Sequence, residues 1–359
     1  MLTESRRGAK TPPMKYFQPI SSIEDLRARL KIVSNVDADA ANAVRAREPQ
    51  LTKPLGALGR LEEIVEWLAG WQGRSPPKMD TPRVRIFAGN HGVVAQGVSN
   101  YPSEVTMQMV ANFEAGGAAI NQLCQMSGAE LQVISLELDR PTLNFTEAEA
   151  MSEAEFVSAF NIGAESLPYE TDLLCIGEMG IGNTTSAAAI CYAIYGGAPS
   201  DWTGPGTGVR GKALENKIRV VEDAVSLHQD ICGNGLEVLR CLGGREIVAM
   251  AGSLVAARFG RVPVMLDGYV ATAAAAAINA TTQGVLEHCM ASHVSGEPAH
   301  RKLLKNLGKR PLFDFGMRLG EASGAALAIP LVRAAQACHT GMATFSEAGV
   351  SNAGVSNKD

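Results

Sequence analysis

The chain has 359 residues, of which 46% are hydrophobic and 19% are charged. This balance excludes a disordered chain and a charge-rich coiled coil, and the length is sufficient for one large domain or two modest ones. A formal net charge of −5 at pH 7 argues against a general binder of nucleic acid or anionic membranes, although it permits a local basic pocket.

The N-terminal quarter is predicted to be helical. Residues 1–18 contain basic residues and a Pro-Pro pair, and we expect them to form a flexible extension. Apolar periodicity then predicts helices over residues 25–33, 38–47 and 61–71.

Strand and helix patterns alternate from Pro82 onward. Short apolar runs that end in Gly or in polar residues are typical of buried parallel strands. The predicted strands are 84–89, 131–136, 173–177, 262–267 and 288–293. The predicted helices are 103–127, 184–195, 246–259, 269–279 and 319–340, and the residues from 345 on are expected to fray. The alternation predicts an α/β fold with a mostly parallel sheet flanked by helices.

The cysteines and the N-terminus bear on the compartment. The seven cysteines are an odd number without a Cys-x-x-Cys pair, which is typical of buried thiols in a reducing compartment. The N-terminus lacks the apolar stretch of a secretory signal. The uncharged windows 179–200 and 268–286 are too poor in large apolar residues to predict membrane spans. We therefore expect a cytoplasmic protein that does not enter a membrane.

A Gly-rich segment after the third predicted strand is the most informative candidate for a site. Ligands bind beyond the carboxyl ends of the strands in open parallel sheets, and Gly180-Ile181-Gly182-Asn183-Thr184-Thr185 leads from such an end into a helix. Free backbone N–H groups at a helix N-terminus suit a phosphate. The segment matches neither a P-loop nor Gly-x-Gly-x-x-Gly. Spacing alone leaves a phosphate site and an ordinary tight turn equally open.

Other candidates are ambiguous on spacing alone. The loop Thr203–Gly208 precedes Lys212 and Lys217, whose ammonium groups could approach a phosphate, but an exposed loop and a solvated helix face are the more common interpretation. Glu178 and Glu321 are carboxylates among small residues. Each could be a general base in a desolvated pocket, or could simply stabilise a helix dipole.

Several kinds of chemistry lack support in the sequence. The histidines at 91, 288, 293 and 300 do not have a metal-ligand spacing such as His-Glu-x-x-His. The chain also lacks a Gly-x-Ser-x-Gly elbow and a recognisable cysteine nucleophile. We therefore expect neither a metal site nor a cofactor.

Six segments, taken together and in order, resemble one family. The segments are Lys53–Glu62, Asn90–Val93, Gly177–Thr185, Leu266–Gly268, Ser292–Ser295 and Met317–Ala325. Each is a weak signal alone, but the six in order over residues 20–345 are a specific match. They resemble the nicotinate-nucleotide:dimethylbenzimidazole phosphoribosyltransferases, which assemble the lower nucleotide loop of cobalamin.

The resemblance implies a reaction. The family moves the 5-phosphoribosyl group of nicotinate mononucleotide to 5,6-dimethylbenzimidazole or a related azole, giving α-ribazole 5′-phosphate and nicotinate. Glu321 matches the catalytic glutamate, a general base that takes the azole N–H proton while the other ring nitrogen attacks C1′. Nicotinate leaves from a cationic pyridinium and needs no general acid, and direct displacement inverts the sugar carbon.

The resemblance also implies substrate-binding residues. The matches to nucleotide and phosphate contacts are Gly180, Asn183, Thr184, Thr185, Gly206, Thr207, Lys217 and Ser295. Glu178 matches a residue of the donor site. The positions that match the azole site are Gln96, Met179, Leu319, Asn90 and Ser99. Many members have Asp where Asn90 stands, so the preferred azole stays open.

The domain organisation expected from the resemblance is a homodimer of two-domain chains. A large Rossmann-like, nucleotide-binding α/β domain would span residues 80–314. A small helical domain would combine residues 19–75 and 315–350, leaving a tail at 351–359.

Two other functions stay open on the sequence. Gly-rich turns in an α/β sheet also occur in nicotinamide-dinucleotide oxidoreductases, but the third glycine and a convincing acidic ribose anchor are missing here. A non-catalytic sensor of nucleotides or azoles would keep the phosphate turn and would not need Glu321.

Overall fold

A computed structural model describes residues 17–351. Apart from residues 17, 18 and 351, the predicted N-terminal extension (1–18) and tail (351–359) lie outside this range. The rest of the chain forms an α/β structure around one sheet.

Five parallel strands form the sheet, in the order β2-β1-β3-β4-β5. The strands are β1 (Pro82–Ala88), β2 (Glu130–Ser135), β3 (Leu173–Met179), β4 (Val264–Leu266) and β5 (Cys289–Ala291). Parallel neighbours require crossover connections, which are supplied here by helices on both faces. The predicted α/β fold with a parallel sheet is confirmed.

The helices alternate with the strands and also occupy both chain ends. They are α1 (Ile23–Leu30), α2 (Ala38–Arg47), α3 (Arg60–Gln72), α4 (Glu104–Glu114), α5 (Ala119–Ser127), α6 (Glu153–Glu165), α7 (Asn183–Tyr195), α8 (Lys212–Leu227), α9 (Gly235–Leu242), α10 (Arg245–Phe259), α11 (Tyr269–Thr281), α12 (Pro298–Asn306), α13 (Ser323–Gly341) and α14 (Phe345–Ala348). Judged over the described range, none of them is long and apolar enough to cross a membrane.

Side chains of each strand alternate between two hydrophobic clusters, one on each face of the sheet. Leu174 and Ile176 of β3 belong to the cluster covered by α6, α7, α10 and α11, whereas Leu173 and Cys175 face α3, α5 and α13. This is the two-residue period of a strand buried on both sides. It explains why the central strands are mostly apolar in the sequence.

The abundant glycine and alanine allow helices to approach closely. A Cβ atom on Gly163 of α6 would lie 1.8 Å from the carbonyl oxygen of Ala249 in α10, so the two backbones are in direct contact there. α11 is rich in alanine and is buried along Tyr269–Ile278. Small side chains therefore set the distance between neighbouring helices.

Helices from the two chain ends pack together on one face of the sheet. α3 contacts both α2 and α13, and α13 also contacts α5. α1, in contrast, contributes Leu26 and Leu30 to the cluster on the opposite face. The division into a large and a small domain at the stated boundaries stays a prediction.

The structure corrects three local expectations. The predicted helix 103–127 is wrong, because Gly116 has a φ of 79° and the Asn121 side chain bonds to the backbone of Phe113 and Ala118, which separates α4 from α5. The predicted helix 319–340 begins only at Ser323. The residues from 345 on were expected to fray, yet Phe345–Ala348 form α14, capped by Thr344.

Candidate active site

A cavity of about 690 Å³ lies beyond the carboxyl ends of β3, β4 and β5. Residues that follow these strands form its wall together with parts of α4, the loop at 206–207 and the segment 318–321. The predicted site residues that line it are Glu178, Met179, Gly180, Asn183, Thr184, Gly206, Thr207, Ser295, Leu319 and Glu321. Residues from distant parts of the sequence therefore meet where a parallel sheet binds its ligands.

The turn between β3 and α7 brings a helix N-terminus to the cavity. A Cβ atom on Gly180 would lie 2.6 Å from the carbonyl oxygen of Gly89, so the turn rests directly on the end of β1. The backbone N–H of Ile181 donates to the Thr106 hydroxyl at 3.1 Å, which fixes the turn from the other side. Asn183 and Thr184 then begin α7 at the cavity wall, where the positive end of the helix dipole suits an anion.

A buried ammonium group lies behind this wall. Lys217 Nζ donates to the Thr184 hydroxyl at 2.8 Å and to the Gly204 carbonyl at 3.1 Å, and the residue is only 1% exposed. Burial lowers the pKa of Lys217 to about 8, although the nearby Glu297 opposes this effect. Together with Arg318, whose guanidinium donates to the Gly206 carbonyl at 3.1 Å, this end of the cavity is cationic.

Three carboxyl groups lie in or beside the cavity wall, and burial raises the pKa of each. Burial and the charge of Asp267 raise the pKa of Glu178 to about 8, opposed by a hydrogen bond from the Asn183 amide. Burial raises the pKa of Asp267 to about 7, although the backbone N–H of Ala325 donates to it at 3.0 Å. Burial likewise raises the pKa of Glu321 to about 7. Such groups exchange protons near neutral pH, as general bases must.

Glu321 sits on a strained backbone. Gly320, Glu321 and Ala322 have φ values of 79°, 58° and 57°, which is the left-handed region that residues other than glycine rarely adopt. A Cβ atom on Gly320 would lie 2.5 Å from Glu178 Oε1, so this turn fits against the second carboxyl group. Strain of this kind at a buried carboxylate in a cavity is typical of a functional site.

Three further predicted residues lie just behind the cavity wall. Lys217 donates a hydrogen bond to Thr184 of the cavity wall. The Ser99 hydroxyl lies 3.2 Å from the hydroxyl of Thr207, which is also part of the wall. Thr185 is fully buried, and its hydroxyl has no hydrogen-bond partner among the described residues.

Two predicted azole contacts do not line the cavity. The Asn90 side-chain amide donates to the Leu138 carbonyl at 2.7 Å, near the end of β1. Gln96 lies in a short 3₁₀ helix, Gly92–Gln96, and its backbone carbonyl accepts from Asn216. Neither side chain belongs to the cavity wall.

Several lining residues were not predicted from the sequence. Tyr101, Val105 and Met109 form part of the apolar wall, although they belong to α4 and the segment before it rather than to a strand end. Glu297 and Arg318 also line the cavity. The position of Glu297 shortly after β5 was the one usable signal for it.

Metal binding finds no support in the described part of the chain. Residues 17–351 contain no group of three or more His, Cys, Asp or Glu side chains that could hold a metal ion. Two of the candidate histidines bond within the protein instead: His91 Nε2 lies 2.5 Å from Glu246 Oε1, and His300 Nδ1 accepts from the backbone N–H of Ser295 at 2.8 Å.

Comparison with known families places this fold and site in a class. A family model described as phosphoribosyltransferase matches residues 33–350, which is most of the chain. The chain therefore belongs to this phosphoribosyltransferase family, and it is an enzyme of the transferase class. The sequence-based assignment to the family is confirmed, and it excludes the oxidoreductase and sensor alternatives.

Several similar proteins carry one particular name. A nicotinate-nucleotide–dimethylbenzimidazole phosphoribosyltransferase of Cereibacter sphaeroides is 56% identical over 333 residues, 93% of this chain and 98% of that protein. One from Rhizobium johnstonii is 57% identical over 329 residues, 92% and 97% of the two chains. A crystal structure of the enzyme of that name from Thermus thermophilus superposes with a TM-score of 0.80 at 39% identity, covering 88% of this chain and 99% of that one.

Proposed function

We propose that the chain transfers the 5-phosphoribosyl group of nicotinate mononucleotide to 5,6-dimethylbenzimidazole or a related azole, as a step of cobalamin biosynthesis. The names of the relatives at 56–57% identity support this substrate pair. Glu321 is the observation that carries the proposal, because it places a buried carboxyl group with a pKa of about 7 in a cavity whose wall is also backed by the Lys217 ammonium group.

The cationic end would hold the phosphate of the donor. Thr184, Gly206, Thr207 and Ser295 line the cavity there, and Lys217 stands behind them. Backbone N–H groups, hydroxyl groups and a fixed ammonium group are the usual partners of phosphate. Holding the phosphate would fix C1′ of the ribose at a set distance from Glu321, which lowers the entropic barrier to the reaction.

Glu321 would remove the proton of the azole. As the Glu321 carboxylate takes the N–H proton, the other ring nitrogen attacks C1′ and forms the new N–C bond. The bond from C1′ to nicotinate breaks, and its electron pair neutralises the pyridinium nitrogen. Attack from the face opposite to the leaving group converts the β-linked donor into an α-linked product.

The two other carboxyl groups would have different parts. Asp267 accepts hydrogen bonds from backbone amides at the start of α13, so it fixes the turn that carries Glu321. Glu178 would line the donor site beside Asn183 and would be largely protonated at neutral pH because its pKa is about 8. A neutral carboxyl group there would avoid a second negative charge beside the base.

The cellular location, the oligomeric state and the need for a metal or cofactor belong to the same proposed function. We place the enzyme in the cytoplasm as a homodimer that needs neither metal nor cofactor. Sedimentation equilibrium would then give twice the chain mass of 37.8 kDa, and turnover would be insensitive to chelators. A monomer at micromolar concentration that is fully active would contradict the dimer.

A chromatographic assay tests the substrates. Purified protein incubated with nicotinate mononucleotide and dimethylbenzimidazole should release nicotinate and α-ribazole 5′-phosphate in equal amounts. Competition among several azoles in the same mixture would then show which base is preferred, and Asn90→Asp tests whether the departure at that position shifts the preference. Absence of product from well-folded protein would contradict the proposed reaction.

A further inference from the structure

Glu297 is a cavity-lining carboxylate that the mechanism above does not use. It precedes α12 and is only 5% exposed. Its Oε1 atom accepts from the backbone N–H of Gly206 at 2.8 Å. Its Oε2 atom lies over Gly204, where a Cβ atom would stand 2.0 Å away, and has no hydrogen-bond partner among residues 17–351.

Burial and the neighbours of Glu297 act on its pKa in opposite directions, and burial has the larger effect. Burial raises the pKa of Glu297, whereas the Lys217 ammonium, the Gly206 N–H and the Arg318 guanidinium lower it. An ionised carboxylate can accept about four hydrogen bonds, and only one is made here. A desolvated acceptor that stays unpaired is unfavourable, so a hydrogen-bond donor from a bound ligand would be stabilising.

The substrates differ in what they could offer to such an acceptor. A phosphate is an anion and would be repelled by the carboxylate. The azole N–H belongs at Glu321, whereas Glu297 contacts the loop at Gly206 on the phosphate side of the cavity. The ribose hydroxyl groups are neutral donors, and they lie between the phosphate and C1′.

We propose that Glu297 accepts a hydrogen bond from the 2′- or 3′-hydroxyl of the donor ribose and so selects ribonucleotides over deoxyribonucleotides. This inference rests on the proposed function, because the ribose enters the cavity as part of the donor. Carboxylates that bind ribose hydroxyls also occur in other α/β nucleotide-binding folds. Glu297 would thus be a specificity residue, distinct from the base.

Binding measurements on ligand analogues and a protein variant can separate recognition of a ribose hydroxyl by Glu297 from support of the loop at Gly206. Calorimetry without azole would measure nicotinate mononucleotide and its 2′-deoxy and 3′-deoxy analogues with the native protein and with Glu297→Gln. Gln retains an oxygen for the Gly206 N–H but loses the second carboxylate oxygen. We expect the native protein to bind one deoxy analogue about 10- to 100-fold more weakly than the ribonucleotide, and Glu297→Gln to bind the two equally.

The opposite pattern would overturn the inference. Equal discrimination in both proteins, or no discrimination by the native protein, would show that Glu297 does not read a hydroxyl. Glu215→Gln is the matched control, since it removes an exposed carboxylate of α8 outside the cavity wall and should keep the native ratio between ribo and deoxy ligands. These ratios need no turnover, so failure to form product with azole would contradict the proposed reaction separately.

A second measurement, made on the native protein, tests the inference even if the Glu297→Gln protein does not fold. Crystals of the native protein with nicotinate mononucleotide should show a ribose hydroxyl within ~3 Å of a Glu297 oxygen. Hydroxyl groups that bond elsewhere would overturn the inference, and failure of the native protein to bind the nucleotide would overturn both it and the proposed function.

Discussion

At the scale of single residues, the buried carboxyl groups of the cavity differ in their neighbours. Asp267 is held by backbone N–H groups, and Glu178 by the Asn183 amide. For Glu321 burial alone raises the pKa. The group without a fixed partner is the one free to exchange a proton with a substrate, which is why we assign the chemistry to Glu321.

The pH dependence of turnover should report this base. Glu321 can accept a proton only in its ionised form. Because its pKa is about 7, kcat should rise as the pH passes through about 7 and should level off above it. Glu321→Gln should lower kcat by about 10²- to 10⁴-fold and abolish this rise, with little change in the KM of the donor. Steady-state kinetics across neutral pH measure both. A Glu321→Gln protein with native turnover would contradict the assignment.

The pKa of Glu178 has a consequence for stability. Its pKa in the folded protein is about 8, above the ordinary value of 4.5, so the folded state binds more protons than the unfolded state between these values. Stability from this group is therefore present at low pH and is lost as the pH rises through about 8. Urea unfolding of Glu178→Gln should show a smaller loss of free energy between acidic and alkaline pH than the native protein.

An exposed glutamate supplies the control. Glu114→Gln, at the end of α4, removes a carboxyl group that is in contact with solvent and should leave the pH dependence of stability native. Identical slopes in the Glu178→Gln and native proteins would show that Glu178 is ionised in the folded state.

At the scale of elements, the turn before α13 determines where Glu321 points. Three successive residues have left-handed backbone angles, and the middle one carries the carboxylate. α13 begins only after them, and its first amides bond to Asp267. The helix therefore anchors the turn, and the turn presents the base to the cavity.

A pair of glycine variants should separate the effect of backbone strain from the effect of the close contact between position 320 and Glu178. Gly320 and Gly308 both have positive φ, at 79° and 63°, so alanine at either should lower the free energy of unfolding by about 1 kcal/mol. A Cβ atom on Gly320 would also meet Glu178 Oε1 at 2.5 Å, whereas one on Gly308 would meet nothing. Gly320→Ala should lose at least about tenfold in kcat/KM, and Gly308→Ala should keep native activity. Equal activities would show that the fit against Glu178 is unimportant.

The sequence predicted the elements that are buried on both sides. It did not predict the element boundaries that depend on side-chain contacts. β1 and β3 are mostly apolar, apart from Arg83 and Arg85 in β1 and Glu178 in β3, so their positions could be predicted. The break between α4 and α5 depends on hydrogen bonds of Asn121, and the late start of α13 depends on a turn fitted against Glu178. Neither boundary produces a periodic pattern of apolar residues, so the sequence alone does not indicate it.

The site was predictable where it follows strand ends or matches family motifs. Gly180, Asn183 and Glu321 were placed this way and do line the cavity. Tyr101, Val105 and Met109 come to the cavity through folding of α4 and the segment before it, so local spacing did not indicate them.

At the scale of the whole molecule, a buried ionic cluster joins the two chain ends. Lys53 Nζ lies 2.9 Å from Glu48 and 2.7 Å from Glu62, and Glu48 also contacts His339 of α13 at 2.6 Å. The lysine side chain is 6% exposed. Its charge compensates two carboxylates between the N-terminal helices and α13.

Removing that cation should destabilise the protein. Lys53→Met removes the cation that Glu48 and Glu62 share, and we expect the free energy of unfolding to fall by about 3 kcal/mol. Arg219→Met is the control, because it breaks an exposed ion pair with Asp223 and should cost less than about 0.5 kcal/mol. Urea denaturation of both variants gives these values. A Lys53→Met protein as stable as the control would show that the cluster does not join the chain ends.

The anomeric configuration of the product tests direct displacement at C1′ most directly. Proton NMR of the nucleotide formed from β-nicotinate mononucleotide and dimethylbenzimidazole should show only the α-linked ribose, with one nicotinate released for each product molecule. A β-linked product, or a mixture of anomers, would contradict attack from the face opposite to nicotinate.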